Sequence, residues 1–201
     1  MQYFPFFTDI EEKRCLIVGG GKVALRKAQK LLPFRPRITV IAEDICGEFS
    51  KLSDIVVIKK SFQLQDIGDA FMVIAATDDL KLNHEIYEFC VKQHILINSV
   101  DDRVNCSFIF PAIIKRENFT VAVSTAGKSP LYARYLREKI ENAAPDDSDE
   151  IIGILSSCRI IIKEKVRTEE KRKAVFEMLL RKCIQDKDNI DIDKIIEEAG
   201  E

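Results

Sequence analysis

No stretch of the 201-residue chain approaches the run of about 18 apolar residues that a membrane-spanning helix needs. The N-terminus, MQYFPFFTDIEEKR, lacks both the basic start and the sustained apolar core of a signal peptide. These absences point to a cytoplasmic protein with no membrane partner. Positive charge is not in excess either: 31 Lys and Arg stand against 33 Asp and Glu, for a net charge of −2. Such a balance leaves no electrostatic footprint for nucleic acid. The six cysteines, Cys15, Cys46, Cys90, Cys106, Cys158 and Cys183, stand singly with no C-x-x-C pair, and only His84 and His94 could join them as soft ligands. That spacing supplies no metal site, and in a reducing compartment isolated thiols behave as small apolar core residues. Internal repeats and low-complexity tracts are also missing. What is present is a globular composition, 46% hydrophobic and 32% charged, which excludes disorder.

Apolar runs rich in β-branched residues recur at CLIVGG, RITVIA, IVVIKK, FMVIAAT and ILINSV, with segments of helical apolar spacing between them. Alternation of this kind implies a parallel sheet. Because the runs are apolar without polar alternation, both faces of every strand are expected to be covered, as in a doubly wound α/β domain over residues 1–112. Leu82, Ile86, Phe89 and Cys90 form the buried stripe of a crossover helix. From Ser107 the pattern changes to two extended runs around a polar turn at Lys115 to Asn118, an antiparallel hairpin. A helix follows, with Ser129 as N-cap, Pro130 first and Leu131, Tyr135, Leu136 and Ile140 as its buried stripe. Beyond the linker AAPDDSD, Ile151, Leu155, Cys158 and Ile162 share helical spacing, as do Val175, Leu179 and Cys183, and a last short helix follows Asp191. The segments divide as 1–112, 113–145 and 146–201.

Gly19, Gly20, Gly21, Lys22, Val23 and Ala24 fit G-x-G-x-x-G/A, placed after the first strand and at the head of the first helix. In that motif Gly19 permits the tight turn, Gly21 lets a diphosphate approach the backbone and Ala24 lets helix and strand pack closely. Glu43 and Asp44 lie about 20 residues further on, at the end of the second strand, where an acidic group binds the ribose hydroxyls and repels a 2′-phosphate. NAD is thus favoured over NADP, and which of the two carboxylates points inward is open. Ala76 and Thr77, after the fourth strand, belong to the same carboxyl edge of the sheet, where small residues leave room for the cofactor.

The stretch ILINSVDDRVNCSFIFPAIIKRENFTVAVSTAGKSPLYARYLREKIE, together with CLIVGGGKVALRKA and AATDD, resembles the precorrin-2 dehydrogenase/sirohydrochlorin ferrochelatase family, which includes the N-terminal module of siroheme synthases. The match covers residues 2 to 142 in unbroken order. It implies a Rossmann domain, a central hairpin-and-helix dimerisation segment and a C-terminal helical domain, hence a homodimer. It also implies oxidation of precorrin-2 to sirohydrochlorin with NAD⁺, with Fe²⁺ or Co²⁺ insertion in some members. The family's cofactor contacts map onto Lys22, Val23, Glu43 and Asp44, and its acidic catalytic residue onto Asp101 in NSVDD, with Asp102 a close competitor. A carboxylate just past a strand's carboxyl end could take the proton that accompanies hydride loss. The implied substrate carries many carboxylates, and STAGKSP offers donors for them: Ser124, Thr125 and Lys128 before a helix N-terminus, with Arg134 and Arg137 on the helix.

The chain ends at Glu201 without the methyltransferase extension of fused siroheme synthases, so it is not expected to make its own precorrin-2. Two rival readings remain at this level. One is an NAD-sensing regulatory module without catalysis, which needs no base. The other is a dehydrogenase for another small substrate, for which His84 and His94, on or beside a crossover helix, are poorly placed.

Overall fold

A computed structural model describes residues 3–199, which divide into two compact units, one of residues 3–111 with 124–129 and one of residues 112–123 with 130–199. In the first, five parallel strands, β1 (Arg14–Val18), β2 (Arg37–Ala42), β3 (Ile55–Lys59), β4 (Met72–Ala75) and β5 (Leu96–Ser99), lie in the order β3-β2-β1-β4-β5. The order reverses between β1 and β4, which creates the crevice where doubly wound sheets bind ligands. Helix α1 (Lys22–Leu31) presents Ala24, Leu25, Ala28 and Leu31 to a core containing Cys15, Ile17, Ile38, Val40 and Ile74 on one face. Helix α2 (Leu80–Lys92) covers the other face, its Ile86 and Cys90 packing with Leu16, Val18, Val73 and Ile97. Fully buried strand residues on both faces account for the unbroken apolar runs of β1 and β4.

One expectation fails at the sheet's edge. Val56 is 58% exposed on β3, and Val57 and Ile58 are exposed too, so that strand is not covered on both faces. The reason lies in its connections, which hold only short 3-10 turns, Gly47–Lys51 before it and Leu64–Ile67 after it, instead of crossover helices. Lys59 and Lys60 follow the exposed run and discourage pairing with another edge.

The second unit begins with the antiparallel hairpin β6 (Ala112–Lys115) and β7 (Thr120–Val123), closed by Arg116 N–H donating to Phe119 O at 3.0 Å. Helix α3 (Pro130–Ala143) packs on this hairpin. A two-stranded ribbon covers only a narrow stripe: Ala133 is buried and Leu136 half-buried, whereas Leu131 is 79% exposed, and Tyr135 and Ile140 are exposed as well. The expected buried stripe is therefore largely an exposed apolar face. Helices α4 (Ser148–Lys165), α5 (Glu169–Asp186) and α6 (Ile192–Glu198) follow after a short turn at 144–147. Ile151, Cys158, Ile162, Val175, Leu179, Cys183 and Ile195 interlock as their core, and Asp191 caps α6 through Asp193 and Lys194 N–H.

Candidate functional site

The glycine turn is shaped by three backbone bonds at the carboxyl edge of the sheet. Gly19 N–H donates to Ile41 O at 2.9 Å, Ala76 N–H to Val18 O at 2.8 Å and Cys46 N–H to Gly20 O at 2.8 Å. Gly19 has φ +113°, and a Cβ built there would stand 2.2 Å from Ala76 O, so the close strand-to-strand approach excludes any side chain. Gly21 differs. It is the N-cap of α1 in extended conformation, and among the described residues nothing lies within 4 Å of where its Cβ would be. Among the described residues no side chain caps this helix; its first turn holds no acidic residue, and its first backbone bond is Leu25 N–H to Gly21 O. An open backbone followed by uncapped N–H groups at a helix's positive end fits the diphosphate of a dinucleotide. Ala24, fully buried, permits the close helix–strand contact.

A cavity of about 650 Å³ opens at this turn, within the size range of small-molecule sites. Gly19, Gly20, Gly21, Glu43, Asp44, Ala76 and Thr77 all line it, so the residues anticipated on three separate loops converge. Glu43 and Asp44 are exposed on its wall, and neither takes part in an ion pair among the described residues. Lys22 and Val23 sit on the first turn of α1 and do not line it. Asp78 of AATDD lines the cavity as well, and so do Ser61 and Phe62, which carried no local motif to announce them. Thr77 holds the loop after β4: its hydroxyl donates to Asn83 Oδ1 at 2.7 Å, and Asn83 Nδ2 returns a bond to Thr77 O at 2.9 Å. Asn83 is buried. Its signal in the sequence was a polar residue three positions before Ile86 on the same helical stripe.

Beyond β5, Val100 N–H donates to Ala75 O at 2.9 Å, which fixes Asp101 two residues past the end of the strand, at the edge where the cavity-lining Ala76 follows β4. Asp101 adopts φ +59°, is exposed and makes no side-chain hydrogen bond among the described residues. A left-handed non-glycine residue at a sheet's carboxyl edge is a recurrent mark of functional positions. Asp102 is occupied differently: it accepts from Val104 N–H at 3.0 Å and from Asn105 Nδ2 at 2.6 Å, so its carboxylate builds the turn. Asn105 in turn lies 3.3 Å from His84 Nδ1, and the Cys106 thiol donates to Ser99 O and Asp102 O. Asp102 thus braces the turn, whereas the Asp101 carboxylate takes no hydrogen bond among the described residues.

A residue outside every motif sits behind this turn. Lys27, on the half-buried side of α1, donates to Asn98 Oδ1 at 3.1 Å and lies 4.0 Å over the Phe110 ring. Asn98 is buried on β5 and donates to Phe108 O at 3.0 Å. Burial pulls Lys27 down to about 8, with Lys30 and Arg26 adding repulsion and Cys106 and Asp101 opposing it.

The Ser124–Ser129 loop belongs to the same unit as the sheet. Thr125 Oγ1 donates to Ser129 O and accepts from Ser129 N–H, both at 3.0 Å, and Ser124 Oγ accepts from Ala126 N–H at 3.1 Å. These hydroxyls shape the loop, and the Lys128 side chain is exposed on it. Arg134 lies in the other unit, on α3, with Nε 2.9 Å from Glu138, and Arg137 pairs with Glu138 and Glu141. Among the described residues no helix is long and apolar enough to cross a membrane, and no group of three or more His, Cys, Asp and Glu is placed to hold a metal.

Residues 6–112 match the family described as putative NAD(P)-binding, and residues 116–143 match the family described as sirohaem biosynthesis protein central. Siroheme synthase of Buchnera aphidicola subsp. Acyrthosiphon pisum is 37% identical over 182 residues, which are 89% of this chain and 38% of that protein. Siroheme synthase of Zymomonas mobilis subsp. mobilis is 40% identical over 180 residues, 88% of this chain and 38% of that protein. The chain thus spans less than half the length of these curated relatives. The solved structure titled SirC, precorrin-2 dehydrogenase superposes with a TM-score of 0.70 at 21% identity, over 98% of this chain and 99% of that one, a likeness of fold.

Proposed function

This chain belongs to the putative NAD(P)-binding family, and from that premise we propose that it oxidises precorrin-2 to sirohydrochlorin with NAD⁺. The observation that carries the reading is the pairing of an uncapped glycine turn with an exposed, unpartnered carboxylate, Asp101, on the next-but-one strand of the same sheet edge. The matches to siroheme synthases and to the sirohaem central family supply the substrate class.

The bound dinucleotide supplies a hydride acceptor. Gly21 and the first N–H groups of α1 hold its diphosphate, and Glu43 or Asp44 accepts from the ribose hydroxyls and disfavours a 2′-phosphate. Asp101 takes the proton that leaves the substrate's adjacent position as the hydride departs, so that two hydrogens are removed in all and one double bond is gained. Its carboxylate is also the group this reading offers for taking up pyrrole protons as Fe²⁺ or Co²⁺ enters the product. Lys128 and the Ser124 hydroxyl offer donors to the substrate's carboxylates. The exposed apolar residues of α3, Leu131, Tyr135 and Ile140, support a homodimer formed through the segment that matches the sirohaem central family.

The test is an anaerobic absorbance assay with enzymatically generated precorrin-2 and NAD⁺, with and without Fe²⁺ or Co²⁺. The sirohydrochlorin spectrum should appear together with NADH. Asp101→Asn should lower turnover by at least about 10²-fold, the usual worth of a positioned base, while NADH binding is retained. Unchanged turnover in that variant removes Asp101 from the mechanism, and NADH binding without any spectral change in the wild type favours a sensing module instead.

A further inference from the structure

Two loops that carry proposed site residues, the turn 100–106 with Asp101 and the loop 124–129 with Ser124 and Lys128, are joined by one side chain. Arg103 Nη1 donates to Gly127 O at 3.3 Å, and Nη2 donates to Ala126 O. Gly127 has φ +73°, and a Cβ there would stand 2.8 Å from both Cζ and Nε of Arg103. Only glycine lets the flat guanidinium lie against this backbone. Each of the two joined loops holds a non-glycine residue in the left-handed conformation, Asp101 at φ +59° and Ala126 at φ +50°. Asp102, Asn105 and Cys106 brace the turn from within, so Arg103 reaches outward from a rigid base. The loop it grips is placed in the same compact unit as the sheet, although β7 before it and α3 after it belong to the other unit.

We propose that Arg103 is a positioning residue for the polycarboxylate substrate, holding the loop that bears Ser124 and Lys128 in a fixed relation to Asp101. The inference rests on the dehydrogenase reading above. A guanidinium suits the task because its planar fork bonds two successive carbonyls from two separate nitrogens in a fixed geometry. With the bridge in place, substrate carboxylates gripped by the loop and the carbon that loses its proton at Asp101 share one frame; without it, the loop's donors are no longer held against the turn.

The full chain is compared with Arg103→Ala, Arg103→Lys and Gly127→Ala. Arg103→Ala should raise the KM for precorrin-2 about tenfold, as expected for losing bonds from a charged donor, with the Kd for NADH unchanged. Arg103→Lys should recover part of that loss. Gly127→Ala, whose methyl displaces the guanidinium while Arg103 itself is kept, should reproduce the rise in KM, and the double variant should be no worse than the poorer single one, because both break the same bridge. An unchanged KM in Arg103→Ala overturns the inference, and so do additive effects of the two substitutions or an equal weakening of NADH binding. If the wild-type protein itself leaves precorrin-2 unoxidised, the dehydrogenase reading fails separately. Arg103 is then judged by equilibrium binding of sirohydrochlorin: about tenfold weaker binding in Arg103→Ala sustains the positioning role, and equal affinity overturns it.

Discussion

Gly19 and Gly21 lie two residues apart in one turn, yet alanine at each should fail in a different assay. At position 19 the new methyl would meet Ala76 O at 2.2 Å and Ala76 C at 2.6 Å, both backbone atoms of the neighbouring strand's continuation, with no flexible side-chain tip to move aside. Left-handed strain adds about 1–3 kcal/mol and overpacking about another 1–3 kcal/mol. The sum, about 2–6 kcal/mol, is a large part of the roughly 5–15 kcal/mol that keeps a typical domain folded. At position 21 the backbone, φ −81° and ψ −177°, suits alanine, and nothing lies within 4 Å of the methyl. The stiffer unfolded chain favours Gly21→Ala by about 0.4–1 kcal/mol, and alanine's poorer fit at an N-cap offsets a similar amount. Stability should therefore change by less than about 0.5 kcal/mol, while the methyl fills the space a diphosphate needs and raises the Kd for NADH at least about tenfold. Urea unfolding followed by circular dichroism, with NADH fluorescence titration on the same samples, reads both quantities. Wild-type NADH affinity in Gly21→Ala would refute the reasoning about the diphosphate, and a wild-type urea midpoint in Gly19→Ala would refute the steric reasoning.

Two further outcomes follow from the same geometry. Lys27 holds its proton to about pH 8 when folded, against 10.5 ordinarily, so between those values the unfolded chain binds more protons and stability rises with pH; below pH 8 both states are protonated. The full shift corresponds to about 3.4 kcal/mol and, discounted for partial solvation, to about 1–2 kcal/mol. The stability of wild type minus that of Lys27→Met, from urea melts, should thus climb by that amount between pH 7.5 and 10. The buried Cys15 and Cys90 thiols, pushed up to about 11 and about 12, lower stability above pH 9 in both proteins and cancel in the difference. A flat difference would contradict the burial of Lys27. On α3, Leu131→Glu should convert the proposed homodimer to monomer in sedimentation equilibrium and leave the monomer folded, because that side chain is 79% exposed; an unchanged mass would argue against this face as the interface.

The sequence by itself determined the five strands, their parallel pairing and the glycine turn, because apolar periodicity and G-x-G-x-x-A report local geometry and burial directly. The residues lining the cavity at Glu43, Asp44, Ala76 and Thr77 were legible for a related reason: in a doubly wound sheet every strand's carboxyl end faces the same edge. The exposure of β3 and of Leu131 and Tyr135 was not legible, since an apolar run reads alike whether a helix covers it or nothing does. Tertiary structure alone separated Asp101 from Asp102, by giving one a free carboxylate and the other two backbone donors and the Asn105 amide. It alone brought Lys27 to Asn98, 71 residues away, and Arg103 to the carbonyls of Ala126 and Gly127. Contacts of that span leave no periodic trace along the chain; they exist only once packing has fixed which loops meet.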